Sequence, residues 1–197
     1  MDTPRRPVRE TLLDAAAELL VERGYRAVRM RDVAQAAGVS RQTLYNEFGD
    51  KWGLARAVVL RDNERYLDGI DRVLSQHRDL RSAVEAAVLF TLELSADDPL
   101  KKTVLTGAGG EELLPLLTTQ AEPVVFTASE RILDHAMAQW PHLDRDRLAE
   151  VADAAVRLTM SHIVLPAGPP EHVARFIARM VTRYLDAPAP ERDRPDA

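Results

Sequence analysis

The chain has 197 residues, 46% of them apolar, a formal net charge of −5 and no cysteine. That length suffices for a small domain joined to a larger one with its own core, and the missing thiols exclude disulfides and thiolate metal sites. Residues 1–6 lack a signal peptide's apolar run and no stretch approaches the ~18 apolar residues of a membrane span, which predicts a cytoplasmic protein with no membrane partner.

Charge is unevenly placed along the chain. Residues 1–56 hold ten Arg/Lys and eight Asp/Glu, a net +2, whereas residues 57–197 hold sixteen and twenty-three, a net −7. The N-terminal part therefore suits local phosphate contacts, and the acidic remainder does not suit DNA. Arg5, Arg6 and Arg9, interleaved with Pro4 and Pro7, form either a basic arm for a DNA groove or a solvated tail. Leu12, Leu13, Ala16, Leu19 and Leu20 trace one face of a first helix, over about residues 9–23. Gly24 ends it, and Tyr25 and Val28 plug a small core.

Two short helices follow. Val33, Ala34 and Ala37 give the first an apolar face, over about residues 30–37. Gly38 takes the left-handed conformation at its end, Val39 fills the turn, and Ser40 caps the next helix. That helix, over residues 41–48, turns Leu44, Tyr45 and Phe48 to one side and leaves Arg41, Gln42, Thr43 and Asn46 polar. Long donors on its early turns fit a DNA-reading helix-turn-helix, the bland alternative being a plain helical hairpin. Arg41 suits guanine O6 and N7 or a phosphate, Gln42 suits adenine N6 and N7, and Thr43 offers a methyl to thymine or a hydroxyl to phosphate. Tyr45 is either a DNA contact or a core aromatic. After Gly49, Asp50 caps a long fourth helix whose first turn carries Lys51, a poor place for a cation unless an anion such as a phosphate is near.

On these residues the chain resembles the TetR/AcrR-like family of bacterial transcriptional regulators. The resemblance is carried by Ala15, Ala16 and Leu19, by Gly24 and Tyr25, by the run from Met30 to Ser40, by the run from Thr43 to Phe48, and by Lys51 and Leu54. It is specific over about residues 9–56. It implies an all-α homodimer in which three N-terminal helices bind palindromic double-stranded operator DNA and a C-terminal domain binds a small molecule. Most members repress and are released by their ligand. The resemblance places Arg41, Gln42, Thr43 and Tyr45 against DNA, with Tyr45 and Lys51 on phosphates. Two positions depart from the family's habit. Arg29 stands where a capping serine or threonine is common; it reaches phosphate but cannot accept the capping bond. Gln42 stands where glycine is frequent.

Trp52, Ala55, Val58, Val59, Tyr66, Leu67, Ile70, Val73 and Leu74 keep the fourth helix apolar on one face across residues 51–75, roughly 37 Å. Further helices are predicted over about 80–95, 99–105, 111–119, 122–140, 146–164 and 170–185. Gly107 to Gly110 lacks a P-loop lysine and reads as a loop that admits or covers a ligand. Ala152, Ala155 and Thr159 are small residues at helical spacing, which predicts close approach and a dimer built from the last two helices of each chain. A dimer sets its two reading helices about 34–36 Å apart, or a multiple of one DNA turn.

No catalytic motif appears, and the five histidines lack metal-ligand spacing, so no enzyme, metal or cofactor is expected. A mostly apolar pocket is expected instead, lined by Phe90, Leu94, Phe126, Met137, Trp140 and Met160 with His162 as a polar anchor, suited to an apolar or amphipathic effector. The expected fold is all-α. A three-helix helix-turn-helix domain (residues 1–50) joins through the long helix to a helical ligand-binding and dimerisation domain (51–187), ahead of a disordered tail (188–197). The function read from it is a ligand-responsive repressor. An activator or effector-independent DNA-binding protein is the alternative, with a small helical enzyme behind both.

Overall fold

The computed structural model describes residues 7–106 and 110–188. The arm residues Arg5 and Arg6, positions 107–109 of the glycine loop and the tail beyond Pro188 lie outside the described residues. Among the described residues the chain is helical, without strands. The helices are α1 (Val8–Ala27), α2 (Met30–Ala36), α3 (Arg41–Phe48), α4 (Lys51–Ser75), α5 (Leu80–Asp97), α6 (Pro99–Thr106), α7 (Gly110–Leu113), α8 (Glu122–Gln139), α9 (Arg145–Val164) and α10 (Pro170–Asp186), with a 3-10 helix at Leu114–Leu117.

Local chemistry sets most of these boundaries. Side-chain oxygens of Ser40, Asp50, Asp79 and Asp144 accept the backbone N–H of Thr43, Gly53, Ser82 and Arg147, three residues on. Asp98 Oδ1 accepts from Leu100 N at 2.7 Å and Lys101 N at 3.2 Å, and Pro99, which has no N–H to leave unpaired, opens α6. Gly24 (φ 72°, ψ 160°) does not end α1 as its sequence context predicts; it kinks the helix, which resumes to Ala27. Gly38 (φ 67°) carries the turn between α2 and α3, closed by Val39 N donating to Ala34 O at 3.0 Å.

Two apolar cores share α4. The first gathers Leu12, Leu13 and Ala16 of α1, Val33 of α2, Leu44 of α3 and Leu54 and Val58 of α4, and takes in Val104 and Leu113 from beyond the reading head. The second joins Leu67, Ile70 and Leu74 of α4 to Ala83 and Val88 of α5, Leu133 of α8, Val151 of α9 and Ile177 of α10. Each fully buried Leu or Ile contributes about 1.5–3 kcal/mol of transfer free energy, so α4 is held along its length by two independent sets of contacts. Ala152, Ala155 and Thr159 do not form the outer dimer stripe their spacing predicts. They face inward and line a cavity. No described helix is long and apolar enough to cross a membrane, and no group of three or more His, Asp or Glu among the described residues is arranged to hold a metal.

Candidate nucleic-acid interface and internal cavity

Leu44, fully buried, roots α3 in the first core and turns its other face outward. Arg41, Gln42, Thr43, Tyr45 and Asn46 are all exposed there. Tyr45 is 47% exposed, so its ring stands in solvent and not in the core. Ser40 Oγ accepts from Thr43 N at 3.1 Å and lies 2.8 Å from Thr43 Oγ1, which fixes the Thr43 rotamer with its hydroxyl engaged locally. Gln42 Nε2 donates to Asn46 Oδ1 at 2.7 Å, one turn on, which orders an otherwise flexible amide.

The flanks differ from their sequence reading in detail. Arg9 is no part of a free arm. It sits in α1, its guanidinium 4.9 Å from the centre of the Phe48 ring and 2.7 Å from Glu47 Oε1, so it clamps the end of α3. Arg29 is exposed at the N-cap of α2 and provides no side-chain cap, as an acceptor-free side chain must. Lys51 folds inward, with Nζ 4.2 Å from the centre of the Tyr25 ring and donating to Arg26 O at 3.3 Å. Burial lowers its pKa below the usual lysine value, partly offset by Glu112. Tyr25 in turn meets the edge of Trp52 at 6.5 Å between ring centres. Arg26 pairs with Glu112 Oε1 at 3.0 Å and with Glu111, tying the end of α1 to α7. A phosphate docking at this edge therefore meets an ammonium whose nearest stabilisers are a ring face and a carbonyl.

Beneath the reading head, helices α4, α5, α6, α8 and α9 line a partly open cavity of about 140 Å³. Its wall is apolar almost throughout, including Leu67, Ile70, Val88, Ala128, Ala152 and Met160. The polar residues of its lining include Lys101 and Tyr66, which meet, and Asn63, one turn before Tyr66 on α4. Lys101, only 8% exposed, pairs with Asp62 Oδ2 at 2.5 Å and lies 4.4 Å from the centre of the Tyr66 ring. Tyr66 donates its hydroxyl to Asp98 Oδ2 at 2.9 Å, and burial raises its pKa far above the usual phenol value. The hydroxyls of Thr91 and Thr159, also in the wall, donate back to the carbonyls of Ala87 and Ala155.

Of the seven residues expected to line a pocket, Met160 does so. Phe90 packs on Gly69, where an added Cβ would come within 2.3 Å of its ring. Leu94 is 39% exposed, and Phe126, 65% exposed, rims a groove on the outer side of α8 and α9. Met137 packs against the second core, and Trp140 is buried at the end of α8 with Nε1 donating to Arg78 O at 3.0 Å. His162 faces a separate open cleft at the end of α9, its Nδ1 buried with no hydrogen-bond partner among the described residues. Large side chains fill space, so the cavity is walled instead by residues too small to fill it: Ala87, Ala128, Ala136, Ala152 and Ala155. The alanine and threonine spacing on α9 carried that signal.

A reading head of three helices, fused through one long helix to a helical body with an apolar cavity, defines a helix-turn-helix transcriptional regulator. Residues 12–58 match the family model described as bacterial regulatory proteins, tetR family, and residues 79–183 match the bacterial tetracyclin repressor, C-terminal domain. The chain belongs to the TetR family, and its relatives are transcriptional regulators, not enzymes. The HTH-type transcriptional regulator AlkX of Mycobacterium tuberculosis is 34% identical over 187 residues, 94% of this chain and 88% of that protein. The crystal structure of the TetR family repressor AlkX from a Dietzia strain, implicated in biodegradation of n-alkanes, is 32% identical with a TM-score of 0.79, covering 93% of this chain and 97% of that one. The HTH-type transcriptional activator FasR of Mycolicibacterium smegmatis is 40% identical over 85 residues, 43% of this chain and 39% of that protein.

Proposed function

We propose that this regulator is a homodimeric repressor, working in the cytoplasm where its operator is, that binds palindromic DNA and is released by a small apolar or amphipathic effector. The observation that carries the reading is the apolar pocket against α4, the helix whose first residue is Lys51. An effector that binds more tightly to the arrangement of α4 and its neighbours seen here than to the one that matches the operator favours dimers released from DNA. Bases are read by Gln42 and Thr43, with Arg41 shared between base and phosphate; Ser40, Tyr45, Arg29 and Lys51 hold the backbone. The domain division near residue 50 belongs to the same reading, with the head turning on α4.

Dimerisation through α9 and α10 is supported by what their outer faces leave uncovered. Phe176 (52% exposed) stands on α10 among Arg175, Arg179 and Arg183, while on α9 Glu150 accepts the Tyr184 hydroxyl and Asp153 pairs with Arg157 within the chain. A two-fold axis that laid α10 of one copy near α9 of the other would cover the Phe176 ring and bring these arginines towards the acidic side chains of α9. The Dietzia repressor, alike over nearly its whole length, supports repression and an aliphatic effector. Activation is the second reading, favoured by the FasR likeness over 85 residues.

Fluorescence anisotropy with the protein's own upstream DNA tests the proposal. Binding should saturate at two chains per palindrome, weaken steeply with salt, and be reversed by a short aliphatic compound. Absence of salt-dependent binding, or binding indifferent to every aliphatic compound that raises the melting temperature, sinks the repressor reading.

A further inference from the structure

The cavity's polar edge is built from charges that already satisfy one another, and that restricts what it admits. Among the described residues lining it, Lys101 is the one cation. Its ammonium is held by Asp62 at 2.5 Å and faces the Tyr66 ring at 4.4 Å. Asp98, the second carboxylate nearby, accepts the Tyr66 hydroxyl and two backbone N–H groups of α6. The edge therefore carries one cation and two hydrogen-bonded carboxylates, with no cation left over. A carboxylate or phosphate entering here would find no free positive partner and would meet two anions. An unpaired charge in such a site is strongly disfavoured. An amine would have to shed its water for carboxylates that are already engaged, Asp62 by Lys101 and Asp98 by Tyr66 and two backbone N–H groups.

Asn63 differs from its neighbours. It lies in the cavity wall one residue after Asp62, and its amide makes no side-chain hydrogen bond among the described residues. The threonines in the wall have their hydroxyls tied to their own helices. Asn63 thus offers one unused N–H pair and one unused carbonyl at the polar end of an apolar chamber.

We infer that the effector is an uncharged amphipath, an aliphatic body of about six carbons bearing one hydroxyl or carbonyl group that bonds to Asn63, and that anionic and cationic analogues of the same chain are rejected. This rests on the proposal that the cavity is the effector site. The chain length is scaled from the volume: an apolar cavity of about 150 Å³ in another protein holds benzene, and this one, partly open to solvent, offers about 140 Å³.

Isothermal titration calorimetry of the full chain with hexane, 1-hexanol, hexanoate and hexylamine at neutral pH tests it, with operator release by each compound as a second readout. 1-Hexanol should bind at least tenfold more tightly than hexanoate or hexylamine and several-fold more tightly than hexane. In Asn63→Ala the alcohol should lose its advantage over the alkane, while the bias against both ions persists because Asp62, Asp98 and Lys101 remain. Hexanoate or hexylamine binding as tightly as 1-hexanol overturns the inference, as does an alcohol preference that survives Asn63→Ala. If none of the four binds, the effector-site reading of the cavity fails first and the inference falls with it. Asn63→Ser, which keeps a hydroxyl, separates loss of the hydrogen bond from loss of folding: it should retain part of the alcohol preference.

Discussion

Filling the cavity by mutation should stabilise the protein and silence it towards effector. Ala152, 6% exposed, lines the cavity from α9. Replacing it by leucine adds three carbons to the chamber. At ~0.8 kcal/mol per buried carbon the transfer gain is ~2.4 kcal/mol. The same quantity reached from the other side, ~24 cal/mol for each Å³ of apolar void, puts the whole cavity at about 3.4 kcal/mol. Leucine reclaims part of that, and a rotamer forced by the fixed wall returns about 1 kcal/mol. The net gain is about 1–1.5 kcal/mol, or roughly 2–6 °C in melting temperature for a domain of this size. Calorimetry of wild type and Ala152→Leu measures it. Titrating 1-hexanol supplies the second half. A ligand at a hundred times its Kd stabilises the wild type by about 2.7 kcal/mol, and Ala152→Leu should lose that increment while keeping its operator affinity. A melting temperature lowered by several degrees, with effector stabilisation intact, would refute the reasoning, because it would mean that Ala152 faces packed atoms and that the effector binds elsewhere.

Four further outcomes follow from the same geometry. Gln42→Ala should weaken operator binding by about 1–3 kcal/mol and relax preference at one base pair, seen as a flattened mutant-operator series; uniform weakening across all sequences would reassign Gln42 to the backbone. Lys51→Met should lower the slope of log affinity against log salt by about 0.9, and an unchanged slope would leave the ammonium stacked on Tyr25 in the complex as well. Asp62→Ala strands the buried Lys101 ammonium and should cost about 3 kcal/mol in chemical denaturation, whereas Asp62→Leu combined with Lys101→Met should recover most of it. Asp79 accepts the Ser82 N–H, which holds its pKa below the usual carboxylate value. Its stability advantage over Asp79→Ala should be complete above about pH 4 and fade as pH falls through the lowered pKa; an advantage that persists at still lower pH would show that the charged carboxylate is not its source.

Elements that depend on neighbours in sequence were legible without the fold. Ser40 and Asp50 announce helix starts because a capping oxygen bonds an amide three residues away, and each does so in the structure. The apolar spacing of α1, α4 and α10 and the glycine of the reading-head turn are local in the same sense. The polar face of α3 was legible too, since burying Leu44 leaves Arg41, Gln42 and Thr43 outward, whereas the exposure of Tyr45, grouped by sequence with Leu44 and Phe48, was decided by the fold. Contacts between distant segments were not. Nothing in the order of residues says that Arg9 closes on Phe48 and Glu47, that Lys51 turns back onto Tyr25, or that Asp62 neutralises Lys101 thirty-nine positions away. The cavity is the clearest case. A void belongs to the several helices that fail to meet, so the large residues named for it, Phe90, Phe126 and Trp140, went to packing, surface and anchoring. The small residues of α9, which by sequence alone read as a dimer seam, became its wall. Sequence periodicity decides which face of a helix is buried; only the three-dimensional arrangement decides what that face is buried against, and whether the space between is full.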